Sequence, residues 1–247
     1  MTAIIRPHDR YLMDLEKPDF RADPAQLLAI EKLDDLFDRL LTQQKLSLKD
    51  RGLCLINRLL GRASSKLPER GLYFWGGVGR GKTYLMDMFF DALPMDKKLR
   101  IHFHRFMRRV HQELATLADT KNPLEVVADR IAAEAKVICF DEFFVSDITD
   151  AMILAGMFEA LFKRGVCLVA TSNIAPDGLY KDGLQRARFL PAIGLIKKHT
   201  EVLNIDGGVD YRLRTLERAE LFYTPLDDGA DVSLLQSFER LVPQRDN

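Results

Sequence analysis

The 247-residue chain has 36 basic and 36 acidic side chains, so its formal net charge is zero. This balance argues against a protein that binds nucleic acid through bulk charge, although a local basic patch can still do so. Hydrophobic residues make up 47% of the chain, which is enough for the core of one large domain.

The cysteines and the apolar runs bear on the compartment. Cys54, Cys139 and Cys167 follow no disulfide spacing, which suits a reducing environment. Residues 1–10 lack the apolar region of a secretory signal. No run reaches the roughly 18 apolar residues that a membrane span needs. We therefore expect a cytoplasmic protein without a membrane span.

The first quarter of the chain is predicted to be a helical segment. Residues 1–20 are polar, and we expect them to be irregular. From residue 25 to about 48, leucines recur at steps of three and four, which is typical of an amphipathic helix. A second helix is expected at about 50–60. Residues 1–68 thus form an N-terminal helical segment.

The next stretch predicts a nucleotide site. Residues 71–75 are typical of a buried strand, and residues 76–83 match the phosphate-loop pattern GxxxxGK[ST]. Backbone N–H groups of such a loop surround phosphate oxygens, and the positive end of the following helix faces the same anion. The nucleotide-binding residues are Gly76, Gly77, Val78, Gly79, Arg80, Gly81, Lys82 and Thr83.

Two side chains of this phosphate loop have expected roles. Lys82 would reach the β- and γ-phosphates of ATP, and the Thr83 hydroxyl would bind Mg²⁺. The glycines allow positive φ angles and a close approach of the backbone to a ligand. The alternative is a glycine-rich turn that a lysine happens to follow. Such a turn would need neither a strand before it nor a helix after it, and the sequence predicts both.

Downstream of the loop, strands and helices alternate. Strands are predicted near 99–104, 137–140, 166–170 and 201–206, and helices near 105–118, 124–135, 147–163 and 191–199. This α/β alternation indicates a parallel sheet with helices on both faces, in which ligands bind at the carboxyl ends of the strands.

Two polar segments fall at such strand ends. Asp141 and Glu142 end one buried strand, and Asn173 follows the next. Asp141 would orient Mg²⁺, directly or through its water shell, and Glu142 would activate or position an attacking water. Asn173 would hold that water or a γ-phosphate oxygen. An acidic surface turn and a capping asparagine are the alternative interpretations.

An arginine-bearing segment follows. Arg186 and Arg188 lie close together, and one of them could complete the charge clamp around the transition state in a neighbouring subunit. The alternative is that both are solvated surface residues.

The order of these motifs resembles the core of AAA+ P-loop ATPases. Longer runs resemble one family in particular, the ZapE cell-division ATPases of bacteria and their mitochondrial relatives. The matching runs are 71–83, 102–107, 139–143, 170–173, 183–186 and 210–214. The resemblance covers about residues 20–215.

This resemblance implies an AAA+ core at residues 69–206 with the sheet order 5-1-4-3-2. It implies ATP hydrolysis with Mg²⁺ at a site shared between identical subunits. Arg186 is preferred as the arginine finger because it lies in the family's Leu-Gln-Arg run. The implied partner is FtsZ or another division-ring protein, which would place the protein at the septum.

The resemblance also sets an expectation for residues 207–247. They would begin the C-terminal lid of an AAA+ protein. Family members continue further, so we expect an incomplete lid, no assignable second sensor arginine and weakened hexamer formation.

Two other functions share parts of the pattern. A DNA-associated helicase loader or initiator has the same core motifs and would use the basic face formed by Arg105, Arg108 and Arg109. A neutral chain without a stripe of stacking aromatics disfavours nucleic acid. A nucleotide kinase would need an acceptor pocket, and the polar strand ends argue against it.

Two smaller features complete the sequence-based expectations. His102 and His104 would face one side of a predicted strand, but no third metal ligand follows at a useful spacing. Tyr11 and the stretch 23–26 would border the adenine of a bound nucleotide.

Overall fold

The architecture centres on a parallel sheet of five strands. The structure, a computed structural model, describes residues 5–17, 20, 22–49 and 68–206. Along the sheet the strands run β2-β3-β4-β1-β5, which is the predicted order read from the other edge. The strands are β1 (Gly71–Trp75), β2 (Lys98–His102), β3 (Val137–Asp141), β4 (Cys167–Ser172) and β5 (Thr200–Asn204). The predicted fold class is confirmed.

The central strands are apolar on both faces because both faces are covered. Tyr73 of β1 packs into one hydrophobic core, and its neighbours Leu72 and Phe74 pack into the other. Strands β3 and β4 divide their side chains between the two cores in the same alternating way. This two-sided burial explains why these strands are continuous hydrophobic runs in the sequence.

Helices form the two outer layers. One face is covered by α1 (Pro7–Leu15), α2 (Pro24–Lys49) and α3 (Lys82–Ala92). The other is covered by α4 (Phe103–Ala115), α5 (Pro123–Glu134), α6 (Ile148–Lys163) and α7 (Arg186–His199). Helices on both faces of the sheet were predicted, and this is confirmed.

Helix α1 contradicts the prediction that residues 1–20 are irregular. The helix has Pro7 at its first position, where a missing N–H costs nothing. It is held by tertiary contacts: Tyr11 is fully buried, and the Tyr84 hydroxyl donates to the Asp14 carboxylate at 2.6 Å. Such contacts leave no periodic hydrophobic signal in a short, polar stretch.

Two other boundaries also differ from the predictions. Helix α7 starts at Arg186, after Gln185 at a φ of 57°, so the predicted start at Pro191 is wrong. Strand β2 ends at His102, so His104 lies on α4 and the two histidines do not share a strand. The expected helix at 50–60, Cys54 and the lid at 207–247 lie outside the described residues.

Gly71 and Gly194 provide a matched test of the packing. A Cβ at Gly71 would lie 1.7 Å from the Leu168 carbonyl oxygen on β4, whereas a Cβ at Gly194 on α7 meets nothing within 4 Å. Gly71→Ala should lower the free energy of unfolding by about 3 kcal/mol or more. Gly194→Ala should raise it by about 0.5–1 kcal/mol, because alanine favours the helix. Urea unfolding measures both changes, and equal stabilities would contradict this packing.

Candidate active site

The phosphate loop, residues 76–83, connects the carboxyl end of β1 to α3. The loop glycines Gly76, Gly79 and Gly81 have positive φ angles of 154°, 78° and 81°. Helix α3 begins at Lys82, with Gly81 at its N-cap position. A glycine has no side chain with which to cap a helix, and no side-chain hydrogen bond caps the start of α3.

Lys82 lies over this loop. Its Nζ donates to the carbonyl oxygens of Gly76 at 2.7 Å and Gly77 at 2.6 Å. An anion entering the loop would compete for the same N–H donors, because a lysine ammonium group can exchange one acceptor for another. Binding of a phosphate by Lys82 would therefore replace one or both of these carbonyl contacts.

The outer side of the loop is supported by protein. The buried Gln26 of α2 donates from Nε2 to the Arg80 carbonyl at 3.3 Å, and a Cβ at Gly81 would lie 2.4 Å from that nitrogen. The Arg80 guanidinium lies 2.9 Å from the Asp206 carboxylate, which follows β5. Tyr11 is enclosed, with its hydroxyl accepting from the Asp23 N–H, so it cannot border a nucleotide as expected.

Asp141 and Glu142 have different environments although they are adjacent. The Asp141 side chain is 13% exposed, whereas that of Glu142 is 80% exposed. Glu142 has a φ of 54°, an unusual conformation for a residue with a side chain. Its N–H donates to Thr171 Oγ1 at 3.3 Å, and the Phe143 N–H donates to the Thr171 carbonyl at 2.7 Å. The end of β4 therefore fixes this turn.

Arg100 on β2 binds the Asp141 carboxylate, a contact that the sequence motifs did not indicate. Its Nε donates to Asp141 Oδ2 at 2.7 Å and its Nη2 to Oδ1 at 3.3 Å, while Nη1 binds Asp87 on α3. Burial alone would lower the pKa of Arg100, but these hydrogen bonds outweigh burial and raise the pKa. The only sequence signal for this contact was an arginine inside a predicted strand. Its partner could not be predicted without the register of β2 against β3.

Asn173 lies at the same edge of the sheet, directly after β4, and it is exposed. The buried Ser172 holds this segment: its hydroxyl donates to the Phe143 carbonyl at 2.7 Å and accepts from the Ile174 N–H at 3.1 Å. The Tyr73 hydroxyl donates to the Ile174 carbonyl at 2.9 Å. The segments that follow β3 and β4 are thus bound to each other next to the phosphate loop.

Comparison with known proteins identifies the family. The chain matches the model of the AFG1-like ATPases over residues 5–247. It belongs to the AFG1-like ATPase family. It is 52% identical over 227 residues to the cell division protein ZapE of Escherichia coli K12, covering 91% of this chain and 60% of that protein. This identity confirms the resemblance to the ZapE family. The chain spans less than two thirds of the length of that relative.

Two further matches are a second relative and a solved structure. Lactation elevated protein 1 homolog B of Danio rerio is 42% identical over 192 residues, covering 73% of this chain and 38% of that protein. The structure of the replication initiator DnaA bound to AMPPCP and single-stranded DNA aligns with a TM-score of 0.50 at 14% identity, covering 88% of this chain and 58% of that one. This last likeness concerns the fold alone, which is the AAA+ P-loop fold.

In this AFG1-like chain Arg186 is the first residue of α7. Its Nη2 donates to the Asp177 carbonyl at 2.7 Å, in the 3₁₀ turn Pro176–Gly178. Among the described residues no hydrogen bond joins Arg186 to the phosphate loop of its own chain. Arg188, two residues on, is exposed. The chain thus unites the loop, Asp141, Glu142 and Asn173 at one edge, while Arg186 is bound to a separate turn.

The predicted basic face of α4 is partly neutralised. Arg109 binds Glu113 at 2.9 Å and Glu134 at 2.6 Å, and these carboxylates compensate its charge. Arg105 and Arg108 are exposed. Three arginines were considered for contact with DNA, and one of them is already used within the fold, which weakens the nucleic-acid alternative.

The donors at the sheet edge suit Mg²⁺. The Thr83 hydroxyl and the Asp141 carboxylate are hard oxygen ligands, and proteins usually bind Mg²⁺ through one or two carboxylates together with substrate phosphates. Among the residues that the structure describes, no cluster of three or more His, Cys, Asp or Glu side chains could hold a metal ion by itself. The residues present therefore fit an ion that arrives with a nucleotide.

Among the helices that the structure describes, none is long and apolar enough to cross a membrane.

Proposed function

We propose that this chain binds ATP with Mg²⁺ in the phosphate loop and hydrolyses it. The observation that carries the proposal is that the loop, the pair Asp141 and Glu142, and Asn173 share the carboxyl edge of one parallel sheet. Loop N–H groups and Lys82 would bind the phosphates. Thr83 and Asp141 would hold the metal, which neutralises charge that develops on the β- and γ-oxygens. Membership of the AFG1-like ATPases supports this reaction.

In this proposal Glu142 acts on the attacking water. Its carboxylate is open to solvent on a turn fixed by Thr171, so it can accept a proton without first breaking a buried ion pair. Asn173 orients the same water or a γ-phosphate oxygen. Arg186 acts on the ATP of a neighbouring subunit, so a homo-oligomer would complete the site. The pairing of Arg109 with Glu134 reduces the free positive charge on α4 and weakens the DNA-loader alternative.

We further propose a role in cell division. The support is the 52% identity to a protein named as the cell division protein ZapE. The proposed partner is FtsZ or another division-ring protein, and the proposed location is the cytoplasm at the septum. In this scheme residues 69–206 are the ATPase core, 1–68 an N-terminal helical segment and 207–247 the start of a lid.

Lys82 and Glu142 should separate binding from turnover. Lys82→Ala removes a charge-assisted contact to phosphate and should weaken ATP binding about 10- to 100-fold. Glu142→Gln keeps the size of the side chain, so binding should stay unchanged while phosphate release falls about 10²- to 10⁴-fold. A fluorescent ATP analogue measures binding, and Glu159→Gln, at an exposed position of α6, is the matched control. Wild-type turnover by Glu142→Gln would contradict the role of Glu142.

If Arg186 is an arginine finger that acts on a neighbouring subunit, two inactive variants should complement each other when mixed. Arg186→Ala should lower turnover about 10³-fold or more, whereas Arg188→Ala should leave it close to wild type. Mixing Arg186→Ala with Lys82→Ala should restore part of the activity, because one variant supplies the ATP site and the other supplies the arginine. Phosphate release is measured over a range of protein concentrations. Failure of every mixture to exceed the sum of its parts would refute the shared site.

The division role predicts nucleotide-dependent binding to FtsZ. The Glu142→Gln variant should co-sediment with purified FtsZ polymers in ATP and less so in ADP, because ATP persists in its site. Bovine serum albumin in the same tubes controls for trapping. Sedimentation no greater than that of albumin in either nucleotide, with hydrolysis intact in the wild type, would exclude FtsZ, and equal sedimentation above that level would refute the nucleotide dependence. Salt-dependent DNA binding that is lost on replacing Arg105 and Arg108 would instead favour the loader function.

A further inference from the structure

We infer that Arg100 is a positioning residue, which orients Asp141 toward the metal and ties it to the helix that carries Thr83. This inference rests on the proposed ATPase function and adds a residue that lies outside its motifs. Arg100 is on β2, which pairs directly with β3. It lies opposite Cys139, two residues before Asp141 on β3.

The contacts of Arg100 are well suited to orienting a carboxylate. Two of its nitrogens bind the two oxygens of Asp141, at 2.7 Å and 3.3 Å. The side chains are 22% and 13% exposed, so solvent does not readily displace the pair. A planar guanidinium fork fixes both the direction and the tilt of a carboxylate, which a lysine ammonium cannot do.

The third contact reaches the other proposed ligand. Nη1 of Arg100 binds Asp87 on α3. Asp87 follows Thr83 by one helical turn, so both lie on the same side of α3. The guanidinium therefore bridges the helix of Thr83 and the strand of Asp141, and it fixes the relative position of two elements that would share one metal.

The geometry also indicates how Asp141 would act. A carboxylate has about four lone-pair sites, and the two hydrogen bonds from Arg100 occupy one on each oxygen. The others can accept hydrogen bonds from water on Mg²⁺, which keeps several waters in most protein sites. With Arg100 in place, Asp141 would present these remaining lone-pair sites, held in one orientation, to the ion or to its bound waters.

The test measures how much Mg²⁺ strengthens nucleotide binding. The dissociation constant of a fluorescent ATP analogue is measured in EDTA and in saturating Mg²⁺, for the wild type and for Arg100→Lys. Arg100→Lys should leave the value in EDTA unchanged and shrink the gain from Mg²⁺ about 10-fold or more, the usual cost of losing a residue that orients a metal ligand. Arg109→Lys, which breaks a comparable pair with Glu134 on α5, should change neither value.

A second comparison shows whether Arg100 works through Asp141. In an Asp141→Asn background, Arg100→Lys should cause no further loss of the Mg²⁺-dependent gain, because the oriented carboxylate is already absent. Asp87→Asn should reduce the gain in the same direction but by less, since Arg100 keeps its contacts to Asp141. Thermal melting shows whether each variant is folded, and Asp87→Asn serves in place of Arg100→Lys if the latter is unfolded.

Three results would overturn the inference. If Arg100→Lys weakens binding equally in EDTA and in Mg²⁺, then Arg100 supports the loop and does not orient a metal ligand. If the effects of Arg100→Lys and Asp141→Asn multiply, then Arg100 acts independently of Asp141. If the wild type binds the analogue but gains nothing from Mg²⁺, then there is no metal site to orient. Absence of any nucleotide binding by the wild type would instead refute the proposed function itself.

Discussion

The structure depends on a sheet that is buried on both faces. A polar side chain in the interior of such a sheet would have to find partners inside an apolar core, which costs free energy. The central strands avoid this by sending alternate apolar residues into two cores. Polar chemistry is therefore confined to strand ends, and parallel strands place all of their carboxyl ends along one edge.

The position of Arg100 follows from the same constraint. Strand β2 is at the edge of the sheet, and each of its residues is only half-buried. An edge strand can carry an arginine in its middle because the guanidinium reaches Asp141 at the end of the neighbouring strand β3 and Asp87 on α3. The same side chain within β1 or β4 would enter one of the two apolar cores.

The features that are local in the sequence were predictable, and those that depend on distant contacts were not. The phosphate loop and the strand that ends in Asp141 are complete motifs within a few residues, so they identified the sheet edge, and longer local runs such as 102–107 and 183–186 indicated the family. Helix α1 depends on contacts such as Tyr84 with Asp14, across 70 residues of chain. The pairing of Arg100 with Asp141 depends on the register of β2 against β3, and hydrophobic periodicity does not specify register.

The left-handed φ at Glu142 links the two carboxylates to their neighbours. In a regular strand consecutive side chains point to opposite faces, whereas residues two apart share a face. Arg100 and His102 are two residues apart on β2, but their partners Asp141 and Glu142 are adjacent in the chain. Asp141 binds Arg100, and Glu142 Oε2 lies 4.0 Å from His102 Nδ1.

The chain turns after Asp141, where Glu142 has a φ of 54°. Such a conformation costs roughly 1–2 kcal/mol in a residue with a side chain, and the hydrogen bonds from Glu142 and Phe143 to Thr171 offset this cost. The turn leaves the Asp141 carboxylate shielded and bound by Arg100, and the Glu142 carboxylate exposed to water. Two adjacent acidic residues thereby have the two different environments that the proposed metal-assisted hydrolysis requires.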